Sequence, residues 1–524
     1  MPAPPNPKGA PFVAAGLLPP RCGVRSRSGH RRIVNMTPFI FACAAACALL
    51  ACTSPVQAAE GRPGLKPCRL QGVEHDVWCG VARRPLDPAL PAGAQIDVHY
   101  AVLPALARNR KPDPVMFFAG GPGQSAMELG GTVSRLLARL AYRRDIVLID
   151  QRGTGRSASL ACPAIEPMAP LSASLDSVRQ LERLKTCLAT LKALPHGDLR
   201  QYTTSIAMLD ADAVRQALGV AQVNLMGASY GTRAVLDYMR QFPQAVRRAV
   251  IDGVAPPDMV LPAALSIDNQ TAFDAVLAAC QAEAPCRQRH PTLAADWRLL
   301  LKGLPQEAMV AHPLTGAIER VLITRDLVLN LVRAPLYVPA LTSALPLAVS
   351  EGVRGRFEPL VGLASAMGGR VSGRLSEGMH YSVVCAEDLP HRGQATEPPG
   401  ADFGDSVAGL YRQVCANWPR GEVPAAFYKM PAAPAATLVL SGGADPVTPL
   451  RHGESALRAL GEKARHVVVP HAGHGVMGLL CMRDVLFRFI DADSDRQALQ
   501  VDAACAVSIP RPPAFMPFSG GATR

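Results

Sequence analysis

The chain has 524 residues, 49% of them hydrophobic and 18% charged, with a formal net charge of +12 at pH 7. That length and apolar content exclude a disordered chain and leave room for one large domain with an insertion, or for two domains. The charge does not point to nucleic acid: residues 1–59 hold six basic side chains and no acid, leaving +6 on the remainder. In that remainder Arg and Lys are scattered among acids, with no aromatic interleaving and no nucleic-acid-binding motif, so a solvated basic surface is expected.

A basic stretch from Arg25 to Arg32 leads into a mostly apolar run from Pro38 to Cys52, and small residues follow at Val56-Gln57-Ala58-Ala59. This is the pattern of a secretory signal, so residues 1–59 are read as an export segment and the protein as periplasmic or secreted. Cleavage after Ala58 or Ala59 is one route. Lipidation at Cys52, in the lipobox-like Leu49-Leu50-Ala51-Cys52, is the other and would tether the protein to a membrane. Met36 is an alternative start that would discard the basic region. The apolar run is short for a bilayer span and no later stretch approaches 18 uninterrupted apolar residues, so no integral membrane domain is expected. Ten cysteines follow Cys52, in five sequence-local couples. In an exported chain they suggest nearest-neighbour disulfides. None has Cys-x-x-Cys spacing or histidines set as zinc ligands, and no metal or cofactor is expected.

Two strand-like runs, around Val73 to Val81 and from Gln95 to Leu103, read as leading antiparallel strands. The apolar strand Val115-Met116-Phe117-Phe118 runs into Ala119-Gly120-Gly121-Pro122-Gly123-Gln124-Ser125, and Asp145 to Asp150 is a second such strand before Gln151-Arg152-Gly153-Thr154-Gly155-Arg156-Ser157. A helix near Thr204 to Leu218 precedes the strand Val223 to Met226, and another strand follows at Arg248 to Gly253. From 255 to 434 the character changes to helical patterns, many prolines and few strand signals, as in an inserted cap. Alternation then returns: strand Ala436 to Ser441, helix Leu450 to Leu460, strand His466 to Val469 and helix Val476 to Asp491. The reading is a mostly parallel sheet with helices on both faces, its core in residues 60–254 and 435–505, a helical cap at 255–434 and a loosely ordered tail at 506–524.

Gly227-Ala228-Ser229-Tyr230-Gly231 sits where a strand turns sharply into a helix, and such an elbow lifts its central Ser above the sheet. A serine hydroxyl needs a base to take its proton and an acid to orient that base. Asp445 follows one core strand and His474 the next, so Ser229, Asp445 and His474 come in the order of the α/β-hydrolase fold. His471 is the rival base and Asp252 the rival acid; the glycines flanking His474 favour it, and Asp252 is read as holding its loop. The oxyanion needs two N–H donors, assigned to Tyr230 and to Gly121 in the glycine turn.

The motifs Gly120-Gly121-Pro122-Gly123-Gln124-Ser125, Asp150 to Ser157, Gly227 to Thr232, Gly442-Gly443-Ala444-Asp445-Pro446-Val447-Thr448-Pro449 and Gly473-His474-Gly475 resemble those of secreted tripeptidyl aminopeptidases and their proline-iminopeptidase relatives. The likeness runs from about residue 65 to 505. It implies a serine exopeptidase acting on peptides with a free amino terminus, with cap carboxylates holding the substrate ammonium. Ala119, where proline iminopeptidases usually carry His before the glycines, leans toward the tripeptidyl branch. Tyr381 to Asp388 also resemble that branch, which makes Glu387 the candidate ammonium ligand, beside a cysteine that could pin its loop to Cys415. Asp150 and Arg152 are assigned to loop structure. The alternative function is an esterase or other acyl hydrolase using the same three residues on non-peptide substrates; a catalytically silent binding protein is the third.

Overall fold

The computed structural model describes residues 64–371, 375–390 and 398–517. The expected export segment with Cys52, and residues 518–524, lie outside them. Eleven strands are described: β1 Lys66–Cys68, β2 Val77–Pro85, β3 Gln95–Leu103, β4 Val115–Phe118, β5 Ile146–Ile149, β6 Val223–Ala228, β7 Val246–Asp252, β8 Gln306–Ala311, β9 Ile318–Ile323, β10 Thr437–Gly442 and β11 Ala464–Val469. Nine form one sheet in the order β1-β2-β3-β5-β4-β6-β7-β10-β11. β1 to β3 and the β3–β5 pair are antiparallel, and every pair from β5 to β11 along that order is parallel.

The sequence explains the division. β4 (VMFF) and β5 (IVLI) are buried at every position, as strands covered on both faces must be, whereas β2 alternates buried and exposed positions along part of its length. Helices such as Thr204–Ala217 and Tyr230–Gln241 pack one face, and Met482–Asp491 the other, so two apolar cores flank the sheet.

Between β7 and β10 the chain leaves the sheet for a largely helical excursion with its own apolar cluster around Phe273, Trp297, Leu300, Val328, Val332 and Phe357. The Phe273 and Trp297 rings lie 4.5 Å apart. This insertion also holds a two-stranded antiparallel sheet, β8 with β9. A helical cap with few strand signals was expected there. The hairpin forms because Gln306–Ile323 has strand-like alternation around a His-Pro-Leu-Thr-Gly turn, with Val310, Val321 and Ile323 turned into the cap core. A further helix, Ser177–Lys192, rises between β5 and β6 and was not anticipated.

Five disulfides join Cys68–Cys79, Cys162–Cys187, Cys280–Cys286, Cys385–Cys415 and Cys481–Cys505, the nearest-neighbour pairing. Among the described residues no helix is long and apolar enough to cross a membrane. The segment from 506, expected to be loose, lies along the molecule through residue 517: Ala506 is buried and the Phe515 N–H donates to the Ser343 carbonyl at 2.9 Å.

Candidate active site

Ser229 occupies φ 56° and ψ −126°, between β6 and the helix Tyr230–Gln241. A side-chain-bearing residue there carries strain on the order of 1–3 kcal/mol, so its surroundings must hold it. They do: the Ser229 N–H donates to the Asp252 carbonyl at 2.9 Å, and the Ser229 carbonyl accepts from the Thr232 N–H at 2.9 Å and the Thr232 hydroxyl at 2.6 Å. The flanking glycines are required by space. A Cβ on Gly227 would lie 2.3 Å from the Gly231 carbonyl oxygen, and one on Gly231 would lie 2.2 Å from the Phe118 carbonyl oxygen. Both obstacles are backbone, so Gly231→Ala is expected to lower stability by about 1–3 kcal/mol or more, read as a fall in melting temperature.

The other two singled-out residues meet each other at the carboxyl ends of β10 and β11. His474 Nδ1 donates to Asp445 Oδ2 at 2.8 Å. That carboxylate also accepts from the Val447 N–H at 2.8 Å, the Thr448 N–H at 2.9 Å and the Thr448 hydroxyl at 2.9 Å. Burial opposes charge on Asp445, but the facing imidazole and these donors outweigh it and hold the carboxyl below its ordinary range. Burial likewise opposes charge on His474, and the Asp445 charge outweighs it, so the imidazole sits above its ordinary value. The ring is held edge-on to Tyr337 at 5.4 Å, while the His474 N–H donates to the Tyr337 carbonyl at 3.1 Å. With Nδ1 committed to Asp445, Nε2 is the nitrogen left over. Ser229 and His474 line the same cavity, of about 630 Å³.

The rivals fall elsewhere. His471 is exposed and lies against a different, smaller hollow. Asp252 accepts from the Val476 and Met477 N–H groups at 2.8 Å each, which ties the loop after His474 to the end of β7. Burial pushes its carboxyl up to about 6.

Gly121 and Tyr230, the expected oxyanion donors, both line the cavity with Ser229. Gly121 has φ +114°, a conformation that favours glycine. The glycine loop is clamped from below and above. Asp150 accepts from the Ser125 hydroxyl at 2.6 Å and the Met127 N–H at 3.0 Å. From the cap, the Ser376 N–H donates to the Gly123 carbonyl at 2.9 Å. His380 Nδ1 donates to the Pro122 carbonyl at 3.0 Å, and its Nε2 meets the Tyr411 hydroxyl at 2.8 Å. A carbonyl can only accept, so Nδ1 carries the proton, and burial keeps the ring neutral by lowering its pKa. Arg152 pairs with Asp210, Nε to Oδ2 at 2.7 Å, rather than with Asp150.

Glu387 does not reach the cavity, contrary to the role expected for it as ammonium ligand. Its carboxylate is buried and accepts from the Thr204 N–H at 2.6 Å and the Thr204 hydroxyl at 3.0 Å, with Arg233 Nη1 at 3.5 Å. Burial pushes its carboxyl up to about 7 against the pull of Arg233. Arg233 in turn pairs with both Asp388 oxygens, at 3.1 and 3.2 Å, and donates to the Met259 carbonyl at 3.0 Å. The carboxylate that lines the cavity is Glu377, at the start of the helix Glu377–Glu387, held by Arg183 at 2.5 and 2.6 Å. Sequence reading missed it. The signal was its spacing to His380 and Tyr381, which puts all three on one helix face.

Residues 113–280 match a family model described as alpha/beta hydrolase fold, the architecture that the sheet order and the elbow already dictate. The fold is that of the α/β hydrolases. Residues 401–496 match a second model, described as TAP-like protein. The chain is similar to the tripeptidyl aminopeptidase and proline iminopeptidase group, as the motifs led us to expect. It is 32% identical over 197 residues to the tripeptidyl aminopeptidase of Streptomyces lividans, 34% of this chain and 36% of that protein. The match therefore spans about a third of that relative's length. The serine protease Hip1 of Mycobacterium tuberculosis is 27% identical over 427 residues, 74% of this chain and 80% of its own. The crystal structure of proline iminopeptidase from Mycobacterium smegmatis aligns over 81% of this chain and 100% of its own, at 15% identity and a TM-score of 0.36.

Proposed function

We propose that the protein is an exported serine aminopeptidase of tripeptidyl type, with Ser229 as nucleophile, His474 as base and Asp445 as the acid that orients it. The observation that carries this reading is the shared cavity: a strained, half-buried serine and an imidazole whose other nitrogen is fixed by a buried carboxylate. Ser229 Oγ attacks the scissile carbonyl carbon and passes its proton to His474 Nε2, while the Gly121 and Tyr230 N–H groups hold the resulting oxyanion. The imidazolium gives that proton to the leaving amine as the C–N bond breaks. Water, losing a proton to His474, then attacks the acyl-enzyme; the bond to Ser229 breaks and Oγ is reprotonated. The five disulfides support an oxidising destination and hence export.

Glu377 replaces Glu387 as the proposed ammonium ligand. A carboxylate has about four acceptor sites, and two donors from Arg183 leave room for a substrate amine. Acetylating the amino terminus of a tetrapeptide is expected to lower kcat/KM at least about tenfold, the range for loss of a charged hydrogen bond. Glu377→Gln should erase most of that discrimination, whereas Glu387→Gln should keep it. Equal turnover of the free and acetylated peptides by the parent protein would rule out an exopeptidase, and hydrolysis of esters alone would favour the acyl-hydrolase alternative.

A further inference from the structure

The cavity is lined by side chains of both charges. Among the described residues that line it, Glu377 is the carboxylate and Arg333, on the helix Arg325–Leu336, is the guanidinium. Glu377 is answered by Arg183. Arg333 forms no ion pair among the described residues: its Nε is buried without a hydrogen-bond partner, and its guanidinium hydrogen-bonds the Tyr337 hydroxyl and lies near that of Tyr411. The residue is half-buried and has neutral hydroxyls but no carboxylate beside it, so an anion entering the cavity would be its first charged partner.

Its place says what arrives. In serine acyl transfer the imidazole hands its proton to the leaving amine, so the leaving group lies beside the imidazole and the acyl part beside the oxyanion donors. Arg333 lies one helical turn before Tyr337, whose ring edge and carbonyl hold His474. Glu377 follows Ser376 and Leu375, which contact Gly123 and Gln124 of the glycine loop. Glu377 is thus tied through its chain neighbours to the glycine loop, and Arg333 through Tyr337 to the imidazole, beside which a leaving group would lie.

We propose that Arg333 receives a carboxylate of the departing fragment, so that the preferred substrates are short peptides whose leaving portion bears a negative charge close to the scissile bond. The carboxylate comes either from the free carboxyl terminus or from an acidic side chain of the first departing residue. Guanidinium suits both, because its fork matches the two oxygens. This inference rests on the aminopeptidase reading and gives it a substrate class: peptide remnants already trimmed to a few residues.

The test uses the disulfide-bonded protein and three substrates sharing one tripeptide: the tetrapeptide acid, its carboxyl-terminal amide, and an amide with Glu as the departing residue. The parent protein is expected to prefer the acid over the plain amide by roughly 10- to 100-fold in kcat/KM. The Glu amide recovers activity if a side chain serves equally; a weak Glu amide beside a strong acid assigns the site to the chain terminus. Either result supports the proposal. In Arg333→Gln the acid-to-amide ratio should collapse toward one, and Arg333→Lys should keep part of it. Because the ratio is internal to each preparation, it is independent of how much of a variant folds. Equal cleavage of all three by the parent overturns the role of Arg333 while leaving the aminopeptidase intact. Cleavage of none by the parent overturns the aminopeptidase reading and Arg333 with it.

Discussion

Ser229→Ala is expected to lower kcat by roughly 10⁶-fold, the scale of losing a triad nucleophile, while the melting temperature stays near that of the parent. The two halves of this prediction come from different atoms. The bonds that hold the elbow use the Ser229 backbone N–H and carbonyl, not its hydroxyl. Alanine keeps the Cβ, so the strain at φ 56° is unchanged. What is lost is the oxygen that becomes acylated. A fluorophosphonate probe should label the parent and not the variant, and thermal melts should overlay. Full hydrolysis by a clean preparation of the variant would place the nucleophile elsewhere.

Asp445→Asn is expected to cost about 10⁴-fold in kcat, as when a triad carboxylate no longer fixes the tautomer, and to move the pH profile. The base must be neutral to accept the serine proton. In the parent, burial disfavours the charged ring but the Asp445 charge prevails, so the imidazole pKa lies above 6.5. Activity should therefore fall as pH drops through a midpoint above that value. Removing the carboxylate charge leaves burial unopposed, and the acid limb should shift to lower pH. A limb that stays in place would show that His474 is not the group being titrated. The pair also acts on stability, with opposite signs. The raised His474 contributes below pH 6.5 and loses its contribution as pH rises through its folded value; the depressed Asp445 contributes above pH 3.8 and loses its contribution as pH falls through its folded value.

The sheet was legible because its strands are short apolar runs ending in glycine-rich turns, each imposing a local constraint. Ser229 could be read because its five residues stand between an apolar strand and a helical pattern, with an Asp and a His following later strands in the order this fold uses. Asp445 and His474 followed from chain order. The cap was read less well because its residues answer to partners distant in sequence. Nothing near Glu387 says that Arg233 and Thr204 will consume its carboxylate, and nothing near Glu377 says that Arg183 will present it to a cavity. The β8–β9 hairpin was different: its alternation and Pro-Gly turn were visible, but the surrounding helical patterns outweighed six-residue strands.

The buried Arg233 cluster has a mechanical consequence. Its guanidinium, on the elbow helix, grips Asp388 from the cap and the Met259 carbonyl from the segment leading into it, and Asp388 also accepts from the Leu261 N–H at 3.1 Å. Severing such a buried ion pair costs about 3–5 kcal/mol. The start of the insertion and the end of the helix Glu377–Glu387 are thus both tied to the helix that follows Ser229. Lifting that part of the insertion off the helix would leave the Arg233 charge buried without its partners.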